Sequence, residues 1–112
     1  MARGIIIENS LEDRTPLESV HIVKTWKEGD WTHYGVEAEQ HHIPDLARCI
    51  DEGPWYMHFW EPEGDDLIVV FRERTFRGLC SDPDSLRDAR EYGMSLGIPE
   101  DQLDFRTEWP AE

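Results

Sequence analysis

Hydrophobic residues recur along this chain in two rhythms. The stretch Arg3-Gly4-Ile5-Ile6-Ile7-Glu8 holds three consecutive β-branched residues, which predicts a short strand, placed here at a sheet edge, followed by a polar connection through Asn9, Asp13 and Pro16. Residues 19–27 and 31–39 are rich in β-branched and aromatic side chains and alternate, with Glu28-Gly29-Asp30 between them, which predicts a hairpin. The rhythm then changes. Ile43, Leu46, Ala47 and Ile50 stand at the i, i+3, i+4, i+7 spacing of one helical face. Pro44 suits the first turn of that helix and Gly53 its end. Trp55 to Trp60 and Leu67 to Thr75 read as a second hairpin about the turn Pro62-Glu63-Gly64-Asp65. A second helix follows a cap at Ser81 or Asp82, with Leu86, Ala89, Gly93 and Leu96 as its buried stripe and Gly97 as its stop. Leu103 to Thr107 is expected to be a last strand.

The order from residue 31 onward is βαββαβ. That predicts an α+β domain over residues 1–112, an antiparallel sheet with two helices on one face, ferredoxin-like in arrangement and extended by an N-terminal strand or hairpin. Such a sheet has one face without helices. Placing odd positions of the second hairpin together makes a wholly apolar set, Trp55, Met57, Phe59, Leu67, Val69 and Phe71, which is taken as the core. The opposite face then carries Tyr56, His58, Trp60, Ile68, Val70, Arg72 and Arg74. In the first hairpin the same sorting puts Val20, Ile22, Trp26, Tyr34, Val36 and Ala38 inside and His21, Val23, Trp31, His33, Glu37 and Glu39 outside. A slip of one residue would exchange the faces.

Contiguous aromatic area on an uncovered face marks a partner surface or a ligand groove. The binding-surface candidates are therefore Tyr56, His58, Trp60, Arg72, Arg74, Trp31 and His33. The leading expectation is a non-enzymatic protein-interaction or self-assembly module, with a second copy of the chain or another protein docking on this face. A small-molecule-binding or regulatory domain is the alternative, with Arg72, Arg74 and His58 anchoring a small anionic ligand through forked hydrogen bonds. A small enzyme using the same groove ranks third. The face would instead be closed if the N-terminal strand, the residue 9–18 connection or the C-terminal tail with Trp109 folded across it.

Charge narrows the partners. Twenty-five acidic residues against eleven basic ones give a formal net charge of −14, and a field of that sign repels a phosphate backbone. Nucleic acid is not expected as a partner. No run is long enough to span a membrane, and two cysteines without metal-ligand spacing suit a reducing cytoplasm. The mechanical signatures of catalysis are absent: there is no phosphate-cradling glycine loop, nucleophile elbow, metalloprotease motif or Cys-x-x-Cys. Neither a catalytic residue nor a cofactor is assigned. His41-His42 with His33 or His21 is too loosely spaced to assign a metal. Cys80, just before a helix start, is read as an ordinary half-buried thiol.

Overall fold

A computed structural model describes residues 1–109. Six strands form one antiparallel sheet: β1 (Ala2–Ile7), β2 (His21–Glu28), β3 (Trp31–Ala38), β4 (Met57–Trp60), β5 (Asp66–Val70) and β6 (Thr75–Leu79). Their spatial order is β2-β3-β1-β4-β5-β6. Two α-helices accompany them, α1 (Ile43–Ala47) and α2 (Arg87–Ser95), with short 3-10 turns between elements. None of these helices is long and apolar enough to cross a membrane.

The α+β class holds, while the ferredoxin-like βαββαβ order does not. Residues 2–7 form a central strand, not an edge strand, with β3 on one side and β4 on the other. The uninterrupted Ile5-Ile6-Ile7 run fits this position, since a strand covered on both faces has no need to alternate. The helices also divide. Ile43, Leu46 and Ile50 pack with Ala2, Ile6, Val36, Ala38, Met57, Phe59, Ile68 and Val70 on one face of the sheet. Leu86 and Ala89 pack with Trp60, Leu67, Val69, Phe71, Ile98, Leu103 and Phe105 on the other. A sheet sandwiched between α1 and α2 has no helix-free face.

Register explains the difference. In the β4–β5 hairpin Met57 pairs with Val70 and Phe59 with Ile68, so odd residues share a face with even ones. The expected set Trp55, Met57, Phe59, Leu67, Val69 and Phe71 is therefore split between the two cores, with Trp55 only partly buried against the first. All of β4 and Leu67 to Val70 of β5 are buried, so their apolar pattern is continuous and favours neither register. The first hairpin closes with Glu28 opposite Trp31, and Gly29, at φ 61°, supplies the left-handed conformation that a two-residue loop requires. Between Ile22 and Lys24 the ladder shifts, leaving Val23 as an extra residue. That bulge inverts the alternation. Tyr34 and Val36 stay with the first core as expected, but Trp26 moves across to pair with His33 on the opposite face.

The C-terminal segment covers that second face. Leu103 and Phe105 are buried as their alternation predicts, yet residues 103–106 pair with no strand. The segment lies across the sheet, not beside it, and the anticipated last strand is absent. Helix α2 ends by delivering the chain there. The Gly97 N–H bonds to the Met94 carbonyl at 3.0 Å and the Ile98 N–H to the Gly93 carbonyl at 3.1 Å, with Gly97 at φ 95°.

Candidate functional site

The face expected to be open is the one that residues 98–109 cross. Tyr56, His58 and Trp60 all lie beneath this strap. The Tyr56 hydroxyl donates to the Gln102 carbonyl and a ring nitrogen of His58, Nε2, donates to the Arg106 carbonyl, both at 2.5 Å. These two side chains clamp the strap by its backbone. A carbonyl only accepts, so Nε2 carries the His58 proton and Nδ1 is the acceptor nitrogen. Burial holds the His58 pKa below its ordinary value of 6.5, opposed by the Arg106 hydrogen bond, so the ring is neutral. Burial likewise raises the Tyr56 phenol, with Asp104 adding to the shift.

Trp60 is 5% exposed. The Trp109 ring meets it edge-on at 6.2 Å, donates its indole N–H to the Gly4 carbonyl at 3.0 Å and lies under the Arg3 guanidinium at 5.1 Å. Gly35 makes room for it. A Cβ at this position would stand 2.9 Å from the Trp109 ring. Phe105 is held at φ 48°, an uncommon conformation for a bulky residue, with its ring against Tyr56 and His58. Packing on one side and the His58 hydrogen bond on the next residue hold that turn in place.

Where the strap pulls away from the first hairpin, a cavity of about 260 Å³ remains. Its walls are aromatic: Trp26, Trp31 and Tyr56, with His33 and His58. Trp26 stacks on His33, with ring centroids 5.5 Å apart and planes 20° apart, and Trp31 is braced edge-on by Trp55 at 5.4 Å. The Trp26 indole N–H is buried and makes no hydrogen bond among the described residues. The rim is charged. Glu28, Asp101, Asp104 and Glu108 contribute carboxylates and Arg106 the one guanidinium. Arg106 pairs with Asp104 at 3.0 Å and Glu28 at 3.7 Å, and Glu28 also lies 3.7 Å from His33.

Four of the seven sequence-derived candidates, Trp31, His33, Tyr56 and His58, therefore line one cavity, with Trp60 packed against His58. Arg72 and Arg74 do not join them. Strand β5 ends at Val70, so both arginines fall in the turn before β6, where the alternation that placed them beside His58 no longer operates. Arg72 donates to Glu12 and to the Ile50 carbonyl, each at 2.8 Å. Arg74 stacks over Phe76 and Tyr92 at 4.7 and 5.3 Å. The anion-binding trio of Arg72, Arg74 and His58 is not assembled. Trp26 escaped the sequence reading because of the bulge, and the acidic rim because Leu103 to Thr107 reads as a strand beside the sheet, whereas the segment from Asp101 to Glu108 crosses it. The alternation of Asp104, Arg106 and Glu108 with Leu103 and Phe105 was the available signal.

Elsewhere, His41 and His42 stand on a 3-10 turn before α1 with rings 4.2 Å apart. Among the described residues no group of three or more His, Cys, Asp or Glu side chains converges to hold a metal ion. Both cysteines are free; Cys80 is exposed, not half-buried as expected, and partial desolvation with the Asp65 carboxylate nearby still pushes its thiol pKa up, as desolvation does for Cys49.

No protein-family model matches the chain, and no curated protein or solved structure shows significant similarity to it.

Proposed function

We propose that this protein is a small-molecule-binding domain whose site is the cavity between the β2–β3 hairpin and the C-terminal strap. The observation that carries this reading is the aromatic lining of a concave site. Trp26, Trp31 and Tyr56, with two histidines, surround about 260 Å³ under a polar rim, the usual composition of a ligand pocket. By volume the site takes a ligand of roughly ten non-hydrogen atoms, scaled from a cavity of about 150 Å³ that holds benzene. Binding without chemistry suits the histidines. His58 is neutral and its proton is committed to a backbone carbonyl, which leaves it to hold the strap in place instead of relaying protons.

Self-association through the aromatic face is the weaker reading, because the strap and α2 already bury Trp60 and His58.

A melting-temperature screen against small aromatic compounds tests the proposal. A binder at about a hundred times its Kd stabilises the fold by about 2.7 kcal/mol, which raises Tm by roughly 10 °C in a domain of this size. The shift is expected in the wild type and should vanish in Trp31→Ala. A shift that persists in Trp31→Ala, or no shift from any compound, contradicts it.

A further inference from the structure

We infer that the ligand of this cavity is a small organic cation, an alkyl- or arylammonium held between aromatic faces and carboxylates. The inference rests on the pocket reading above and adds the charge of the occupant. Two independent features support it. The first is the wall. Trp26, Trp31 and Tyr56 line it with indole and phenol rings, and the negative π-face of such a ring attracts a desolvated cation and repels an anion. The second is the rim. Four carboxylates face one guanidinium there, and burial keeps His58 uncharged. No ion pair among the described residues engages Asp101 or Glu108. A carboxylate or phosphate ligand would enter against that field, whereas a cation would be drawn by it and by the net charge of −14 behind it.

The chain also displays the chemistry it selects. Arg106 extends a cation from the strap to Asp104 and Glu28, tying the two sides of the rim together. The Arg106 side chain is 56% exposed, so it is an occupant that a ligand can displace. A bound ammonium would compete with Arg106 for Glu28 and Asp104. Arg106 is then a built-in competitor, and removing its charge should strengthen cation binding. An anionic ligand requires the opposite, since among the described residues that line the cavity Arg106 would be its one fixed cationic anchor.

Isothermal titration with three probes of similar size separates these cases: benzyltrimethylammonium, 2-phenylethanol and phenylacetate. The expected result is that benzyltrimethylammonium binds at least tenfold more tightly than 2-phenylethanol and that phenylacetate does not bind. Arg106→Gln should tighten the ammonium severalfold and Glu28→Gln should weaken it severalfold. Added salt should weaken it in the wild type, as it does any ion pair at a solvent-exposed rim. Arg106→Gln keeps the backbone carbonyl that His58 uses, and Glu28 lies at the exposed hairpin end, so two variants at separate places carry the test. Equal affinity for the ammonium and the alcohol overturns the charge inference and leaves the pocket reading standing. So does preferential binding of phenylacetate that Arg106→Gln abolishes. Ammonium binding that survives Trp31→Ala also overturns the inference, because the cavity would not be the site. If none of the probes binds at millimolar concentration, both readings fall.

Discussion

His58 is the residue on which sheet and strap depend most directly. It is 5% exposed, neutral, and bonded through Nε2 to the Arg106 carbonyl. Because its native pKa lies below 6.5 while the unfolded chain has the ordinary value, the unfolded state takes up a proton first as pH falls. The sign follows directly. Stability is undiminished by this group above about pH 6.5 and declines as pH drops from there toward the lowered native value. Denaturant midpoints measured between about pH 5 and 7.5 should show that decline in the wild type. His58→Phe, which cannot titrate, should lose this part of the slope while costing about 1–2 kcal/mol at neutral pH, because the Arg106 carbonyl is left without its donor. A wild type with a flat profile over that range would contradict the buried neutral assignment. Gly35 offers a second check. Gly35→Ala places a methyl 2.9 Å from the Trp109 ring and should displace that ring from Trp60, read as a changed Trp109 indole N–H resonance. An unchanged resonance would mean that Trp109 does not rest on Gly35.

At the scale of elements, the account turns on the strap. Trp109 is half-buried, packs on Trp60 and bonds to Gly4, so Trp109→Ala should cost about 2–3 kcal/mol and lower Tm accordingly. It should also raise amide exchange along residues 101–106. A loss of Tm without increased exchange there would separate Trp109 from the strap. The elements themselves were unevenly legible in the sequence. Both hairpins could be read because turn residues separate paired runs of β-branched and aromatic residues, and α2 because Asp82, Pro83 and Gly97 mark its ends. Asp82 does accept from the Asp84 N–H at the start of the 3-10 turn that leads into α2. Helix α1 had the right buried residues and the wrong length. Beyond Ala47 the backbone turns to pair with residues 10–12, through Glu12 N–H to the Cys49 carbonyl and Asp51 N–H to the Ser10 carbonyl, each at 2.7 Å. Nothing local in the sequence announces a partner forty residues away. Register was beyond reach for a related reason. Leu67 to Val70 are apolar on both faces, so the pattern that would choose between registers was missing until α2 and the strap supplied the second covering layer. Strand β6 escaped notice because its residues are only half-buried or exposed, so Phe76 is its one strong signal.

For the whole molecule, one sheet buried on both faces accounts for five tryptophans and a continuous apolar β4 in a chain with net charge −14. The candidate site was half legible. Aromatic density located Trp31, His33, Tyr56 and His58, while the acidic rim depends on how the C-terminal segment crosses the sheet. Net charge predicts partners at this scale. Binding to duplex DNA should be undetectable in a gel-shift titration at physiological salt, since counterion release requires clustered basic residues and the field here opposes the phosphates. A salt-sensitive shift at micromolar protein would contradict that reading of the surface. The edge strand β2 exposes Ile22 at 39% and Val23 at 46%. The other edge strand, β6, exposes Leu79 at 42%, so a dimer seen by light scattering should dissociate when Ile22 and Val23, or Leu79, are replaced by lysine, and a dimer that survives both changes would contradict edge pairing.

The central claim is that the cavity walled by Trp26, Trp31 and Tyr56 is a ligand site. Its most direct test is the nitrogen-15 NMR spectrum of the tryptophan indole groups, recorded during titration with benzyltrimethylammonium. The account predicts saturable shifts of the Trp26 and Trp31 indole resonances, with those of Trp60, beneath the strap, and Trp109, at the strap's end, little changed because neither lines the cavity. Shifts concentrated at Trp60 and Trp109, or no saturable shift at Trp26 and Trp31, would contradict it.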